Sequence, residues 1–211
     1  MSKPRLVAFG ILLLIAAVPI LVAGCGTPSE LTRSWKNPGY TGGPIERLAV
    51  FAILPDPRVR KLLEDTFVRS LPRDTRGTAS NTLYETLEKV MIDEITARLK
   101  SESYDGVIVA RLLSADERLE FVETGINYSA WVGNYGFYSY FSTVRAQVFS
   151  PGSVREGAGF RIDTRLYSLK ADTLAWAGIS TPMETSSMKE AVRDYSDLVI
   201  DELLDLKLLK K

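Results

Sequence analysis

Few residues in this chain have the types and spacing that chemistry requires. It contains no histidine and one cysteine, Cys25. That excludes Ser-His-Asp and Cys-His catalysis together with the usual zinc sites. Ser186-Ser187-Met188-Lys189 matches S-x-x-K, a serine-nucleophile motif, but no S-D-N or K-T-G accompanies it. The same residues suit the start of a helix. The acidic pairs Glu64-Asp65, Asp93-Glu94 and Asp201-Glu202 fall on the polar faces of predicted helices, where solvated charge is the ordinary outcome. No Walker loop, G-x-G-x-x-G or D-x-[DN]-x-[DN]-G stretch is present, although a carboxylate-only Ca²⁺ or Mg²⁺ site stays open. The expectation is a protein that is not an enzyme and takes no cofactor.

Two features remain. Residues 128–141, YSAWVGNYGFYSYF, hold seven aromatic side chains, no charge, and two glycines. Aromatics mixed with glycine and serine give large contact area on an adaptable backbone, as binding surfaces do. Tyr128, Trp131, Tyr135, Phe137, Tyr138, Tyr140 and Phe141 are therefore candidate binding residues. Their other reading is packing beneath a twisted sheet. Neighbours such as Phe137 and Tyr138 cannot all point into one core, which keeps the surface reading open beside it.

The second feature is Cys25 itself. Lys3 and Arg5 precede an almost wholly apolar run from Leu6 to Ala23 that ends in small residues, the order of a secretory signal peptide. Val22-Ala23-Gly24-Cys25 resembles the bacterial lipobox. That resemblance implies cleavage after Gly24 and acylation of the Cys25 thiol and of the new amino terminus. Several acyl chains hold a protein firmly on a membrane, where one does not. Gly26, rather than aspartate, follows the cysteine; by resemblance to enterobacterial sorting, this predicts the periplasmic face of the outer membrane. Loss of residues 1–24 leaves 24 basic against 26 acidic residues, a net charge of about −2. Such a balance argues against nucleic acid as a partner.

The elements that must position these residues follow from hydrophobic period. Gly26–Pro44 is rich in Gly, Pro, Ser and Thr and reads as a tether, with Trp35 expected to pack back onto the domain. LAVFAIL (48–54) and VIVARLL (107–113) are continuous apolar runs, the signature of strands covered on both faces. Asp56-Pro57 opens a helix with Val59, Leu62, Leu63, Phe67 and Leu71 inward and Arg60, Lys61, Glu64, Asp65 and Arg69 toward water. A second helix is predicted from Thr82 through Leu83, Leu87, Val90, Met91, Ile95 and Leu99. Val144, Ala146 and Val148 alternate like a strand, and residues 160–166 and 174–179 like a hairpin. Met188, Val192, Tyr195, Leu198, Val199 and Leu203 make a closing helix. The sum is one small α/β (α+β) domain over residues 45–211, a mixed sheet of about four to five strands with three amphipathic helices, behind a signal peptide (1–24) and a lipidated tether (25–44).

Thr32-Arg33-Ser34-Trp35-Lys36-Asn37-Pro38, LAVFAIL, and Asp56-Pro57 with Arg60, Glu64, Phe67 and Leu71 resemble a family of uncharacterised proteobacterial lipoproteins. Leu166-Tyr167-Ser168 and Leu174–Gly178 are similar to that family's closing hairpin. The element order also resembles small α/β envelope lipoprotein domains such as LpoB and the curli secretion lipoprotein. The resemblance implies an envelope lipoprotein and supplies no catalytic residues. The predicted partners are the membrane, through Cys25, and an envelope protein, lipid or glycan, through the aromatic segment. The alternative is an activator of a peptidoglycan synthase, or an accessory subunit of an envelope secretion or assembly machine.

Overall fold

The run after Arg47 decides the architecture. In a computed structural model that describes residues 30–114, 136–150, 159–184 and 188–211, β2 (Arg47–Ile53) buries every residue after the first. Apolar side chains on alternate faces of one strand demand cover on both sides. Leu48, Val50 and Ala52 face one core, with Leu63 and Phe67 of α1 (Pro57–Ser70) and Val192, Tyr195 and Val199 of α4 (Met188–Asp205). Ala49, Phe51 and Ile53 face the other core, with Ile95 and Leu99 of α2 (Ile92–Ser101) and Phe137, Phe141 and Val144 of α3 (Phe137–Val148). The result is a sheet between two layers of two helices each.

The remaining strands are β1 (Leu31–Lys36), β3 (Arg76–Ala79), β4 (Gly106–Ser114), β5 (Gly159–Ser168), β6 (Thr173–Ser180) and the two-residue β7 (Met183–Glu184). Their order is β1-β6-β5-β4-β2-β3, with β7 beside β5. β2 pairs in parallel with β3 and β4, and the other pairings are antiparallel. The mixed α/β domain is as predicted in class, with seven strands among the described residues and four α-helices rather than three.

Four local expectations are corrected. Part of the tether is a strand: β1 pairs with β6, Asn37 Nδ2 donates to the Leu174 carbonyl at 2.8 Å, and Trp35 packs against the second core as expected. Gly and Pro flank β1 in sequence and hid a short edge strand that uses few apolar residues. The second helix begins at Ile92, with Met91 at its N-cap, not at Thr82, because Ser80–Thr82 is a 3-10 turn in which Ser80 and Asn81 are bonded to Arg60 and Glu64 of α1. Val144–Val148 is helical. Phe137, Phe141, Val144 and Val148 recur at four, three and four, and that stripe outweighs the shorter alternation. Lastly, Arg60 and Glu64 of α1 face the interior, at 3% and 0% exposure.

The N-cap of α1 is as predicted. The Asp56 carboxylate accepts from the Arg58 amide at 2.8 Å, and Pro57 occupies the first turn.

Candidate binding groove

The four described members of the aromatic segment fall on two sides of one helix. Tyr128, Trp131 and Tyr135, like Cys25, lie outside the described residues. Phe137, Tyr140 and Phe141 are core residues, which corrects their assignment to a contact surface. Phe51 gathers them: its ring centroid lies 5.9 Å from Phe137 and 5.5 Å, edge-on, from Phe141. Tyr167 stacks 5.6 Å from Tyr140. The helix explains the split. Residues 137, 140, 141 and 144 share its inward face, and 138 turns to its flank.

Tyr138 is therefore the one described member of the segment at a groove. Its ring packs edge-on against Phe137 at 4.9 Å, and burial raises the pKa of its hydroxyl against a hydrogen bond with Thr96. The groove beside it, about 300 Å³, is walled by Leu99, Lys100, Tyr104, Leu169 and Lys170. Lys100 and Lys170 are exposed. The backbone around it is firmly held. Asp105 accepts from the amides of Glu46 (3.2 Å) and Arg47 (2.8 Å) and from Lys170 Nζ (3.4 Å), and the Arg47 guanidinium lies 5.0 Å over the Tyr104 ring. Asp172, at φ +43° in the β5–β6 turn, sets its carboxylate against the start of α3, where a Cβ on Gly136 would collide with it. An aromatic flank, two solvated ammonium groups and the exposed Asp172 carboxylate suit contact with a polar partner surface.

Two buried ionic clusters were not legible in the sequence. Glu64 Oε1 accepts from the Ala52 amide (2.9 Å), Arg60 Nε (3.1 Å) and Ser80 Oγ (2.6 Å). Its Oε2 accepts from the Asn81 amide (2.6 Å) and Asn81 Nδ2 (2.9 Å). Arg60 also donates to Ser80 Oγ and to the carbonyls of Tyr84 and Glu85 at 3.0–3.1 Å. In the second cluster, Asp163 accepts from Arg111 Nε (3.0 Å), Tyr140 Oη (3.2 Å) and Arg165 Nε (3.4 Å), and Arg165 lies 4.0 Å over the Tyr140 ring. Burial opposes the charge on Asp163, but Arg165 and Arg111 outweigh it and hold the carboxyl below its ordinary pKa. Both carboxylates are sealed and spent on neighbours, which is a structural role. Among the described residues no cluster of three or more Asp, Glu, Cys or His side chains could hold a metal.

A larger groove, about 490 Å³, runs between α1 and α4 past Leu62, Thr66, Arg69, Lys189, Arg193 and Asp197. It has no aromatic wall, and the Ser70 hydroxyl already donates to Asp197 at 2.5 Å.

No protein-family model matches the chain, and no curated protein matches it. Two solved structures of a PelC dodecamer from Paraburkholderia phytofirmans are similar to it, each at 10% sequence identity. The first covers 86% of this chain and 99% of that one with a TM-score of 0.39. The second, a point-substituted form, covers 83% and 97% with a TM-score of 0.38. At those scores neither likeness carries an argument about this chain's function.

Proposed function

We propose that this is a non-enzymatic lipoprotein, anchored through Cys25 to the periplasmic face of the outer membrane, that binds another envelope component, a protein or a glycan, in the groove beside Tyr138. The observation that carries the binding reading is the groove itself, whose wall a half-buried tyrosine shares with two exposed lysines. The anchor rests on the lipobox and the segment before it, and the lack of enzymatic activity rests on a chain with one cysteine and no histidine. Reach also narrows the partner. β1 begins at Leu31, six residues after Cys25, so the domain is held within about 20 Å of its attachment point. A synthase activator that must cross the cell wall needs a longer arm.

Photocrosslinking in cells tests this. A benzophenone side chain in place of Lys100 should trap a discrete adduct, and one in place of Asp197, in the larger groove, should not. Adducts from position 197 alone, or none from position 100 in acylated, folded protein, would reject the Tyr138 groove.

A further inference from the structure

Strand register fixes the end of the sheet at which β1 begins. Leu31, the first residue of β1, pairs with Ser180, the last of β6. Phe160, near the start of β5, pairs with Ser114, the last of β4, and Ile53, the last of β2, pairs with Arg111. These residues define one end of the sheet. The opposite end holds the β5–β6 turn at Asp172, the Leu48–Gly106 pair, and the bridge between Ile45 and Leu209.

The nine residues of β4 span about 30 Å. Six residues from Cys25 to Leu31 reach about 20 Å at full stretch, too few to run back along the sheet and set the opposite end on a bilayer. The Leu31 end also carries an exposed apolar side chain. Met91, 65% exposed, is the single exposed large hydrophobic among the described residues. It precedes α2, whose last turn leads straight to Gly106 at the opposite end, so Met91 stands at the Leu31 end. α3 starts with Gly136 against Asp172 at the far end and so finishes at the near one. There Arg145 donates to the carbonyls of Val90 and Glu88, which sets the half-buried Val148 and Phe149 at the same end as Met91.

We propose that this end of the domain rests on the lipid surface, with Met91 in the headgroup region, and that the Tyr138 groove, at the opposite end with Lys170 and Asp172, faces away from the bilayer. The inference rests on acylation of Cys25. It assigns the lipid-facing surface and makes the groove's partner a periplasmic one rather than a lipid.

The test uses acylated protein in vesicles of phosphatidylethanolamine and phosphatidylglycerol. Acylation consumes the native thiol, so Met91→Cys or Asp74→Cys takes a single environment-sensitive dye. Asp74 is exposed at the far end, two residues before the Arg76–Arg47 pair. At position 91 the dye should be blue-shifted and quenched severalfold by brominated lipid. At position 74 it should stay open to aqueous iodide. Lipid quenching equal at the two positions, greater at 74, or absent from both would overturn the orientation while vesicle flotation left the anchor intact. Protein that carries no palmitate and fails to float would sink the anchor reading, and this proposal with it.

Discussion

The cluster at Glu64 and the groove at Tyr138 both combine charge with aromatic or apolar neighbours, yet they are built for opposite ends. Glu64 has both carboxylate oxygens filled by five donors and is wholly buried. In the groove, Lys100 and Lys170 are exposed, and Lys170 reaches its partner Asp105 with most of its side chain in water. Saturated polar groups fix a fold, because leaving any one of them unpaired in a dry interior costs energy. Solvated ones remain open to a partner at little cost to stability. The difference separates what holds this domain together from what it can offer.

Breaking the sealed side should give the largest effects. Phe141→Ala, which removes a ring packed on Phe51, should cost about 3–5 kcal/mol in urea unfolding. Glu64→Ala should cost a similar 3–5 kcal/mol, since it strands the buried Arg60 charge and two backbone amides. A loss below about 1 kcal/mol at Glu64 would mean that this sealed cluster does not hold the fold.

The buried tyrosines give a second break point. Burial raises the pKa of Tyr140, Tyr167 and Tyr195. A group whose folded pKa lies above its unfolded value of about 10 stabilises the fold fully below that value and loses the contribution as pH rises through the folded one. Absorbance at 295 nm should therefore show these three of the nine tyrosines ionising only together with alkaline unfolding. Asp163 works in the other direction. Its folded pKa is lowered, so its contribution is complete above about pH 4 and fades as pH falls through the folded value. Chemical denaturation midpoints should drop in that acid window, and a midpoint flat to pH 2 would contradict the ion cluster.

On the groove side, effects on stability should be small. Tyr138→Ala trims one half-buried ring and should cost about 1 kcal/mol. Lys170→Gln should stay within about 0.5 kcal/mol, because its ion pair is largely solvated.

What the sequence revealed follows the same division. The two strands β2 and β4 were legible because a strand covered on both faces has no choice but a continuous apolar run. α1, α4 and the β5–β6 hairpin announced themselves by caps and by period. Arg60 and Glu64 did not, since an i,i+4 pair of opposite charges looks the same on a wet face as on a dry one. Their real partners, Ser80 and Asn81, lie sixteen and seventeen residues beyond Glu64 and carry no local signal. Asp163 and Arg165 alternate with Ile162, Thr164 and Leu166, so period alone puts them on a polar face, although both are buried. Of the binding candidates, Tyr138 was legible from composition, whereas Lys100, Tyr104 and Lys170 meet it only through the fold.

Separation of a stable scaffold from its binding groove can be measured on one double variant, Tyr138→Ala with Lys170→Gln. Urea unfolding and crosslinking from position 100 should be measured on the same acylated preparation. The expected result is a stability loss no larger than about 1.5 kcal/mol with the adduct reduced at least tenfold. An undiminished adduct, or a domain that unfolds with a loss of several kcal/mol, would contradict it.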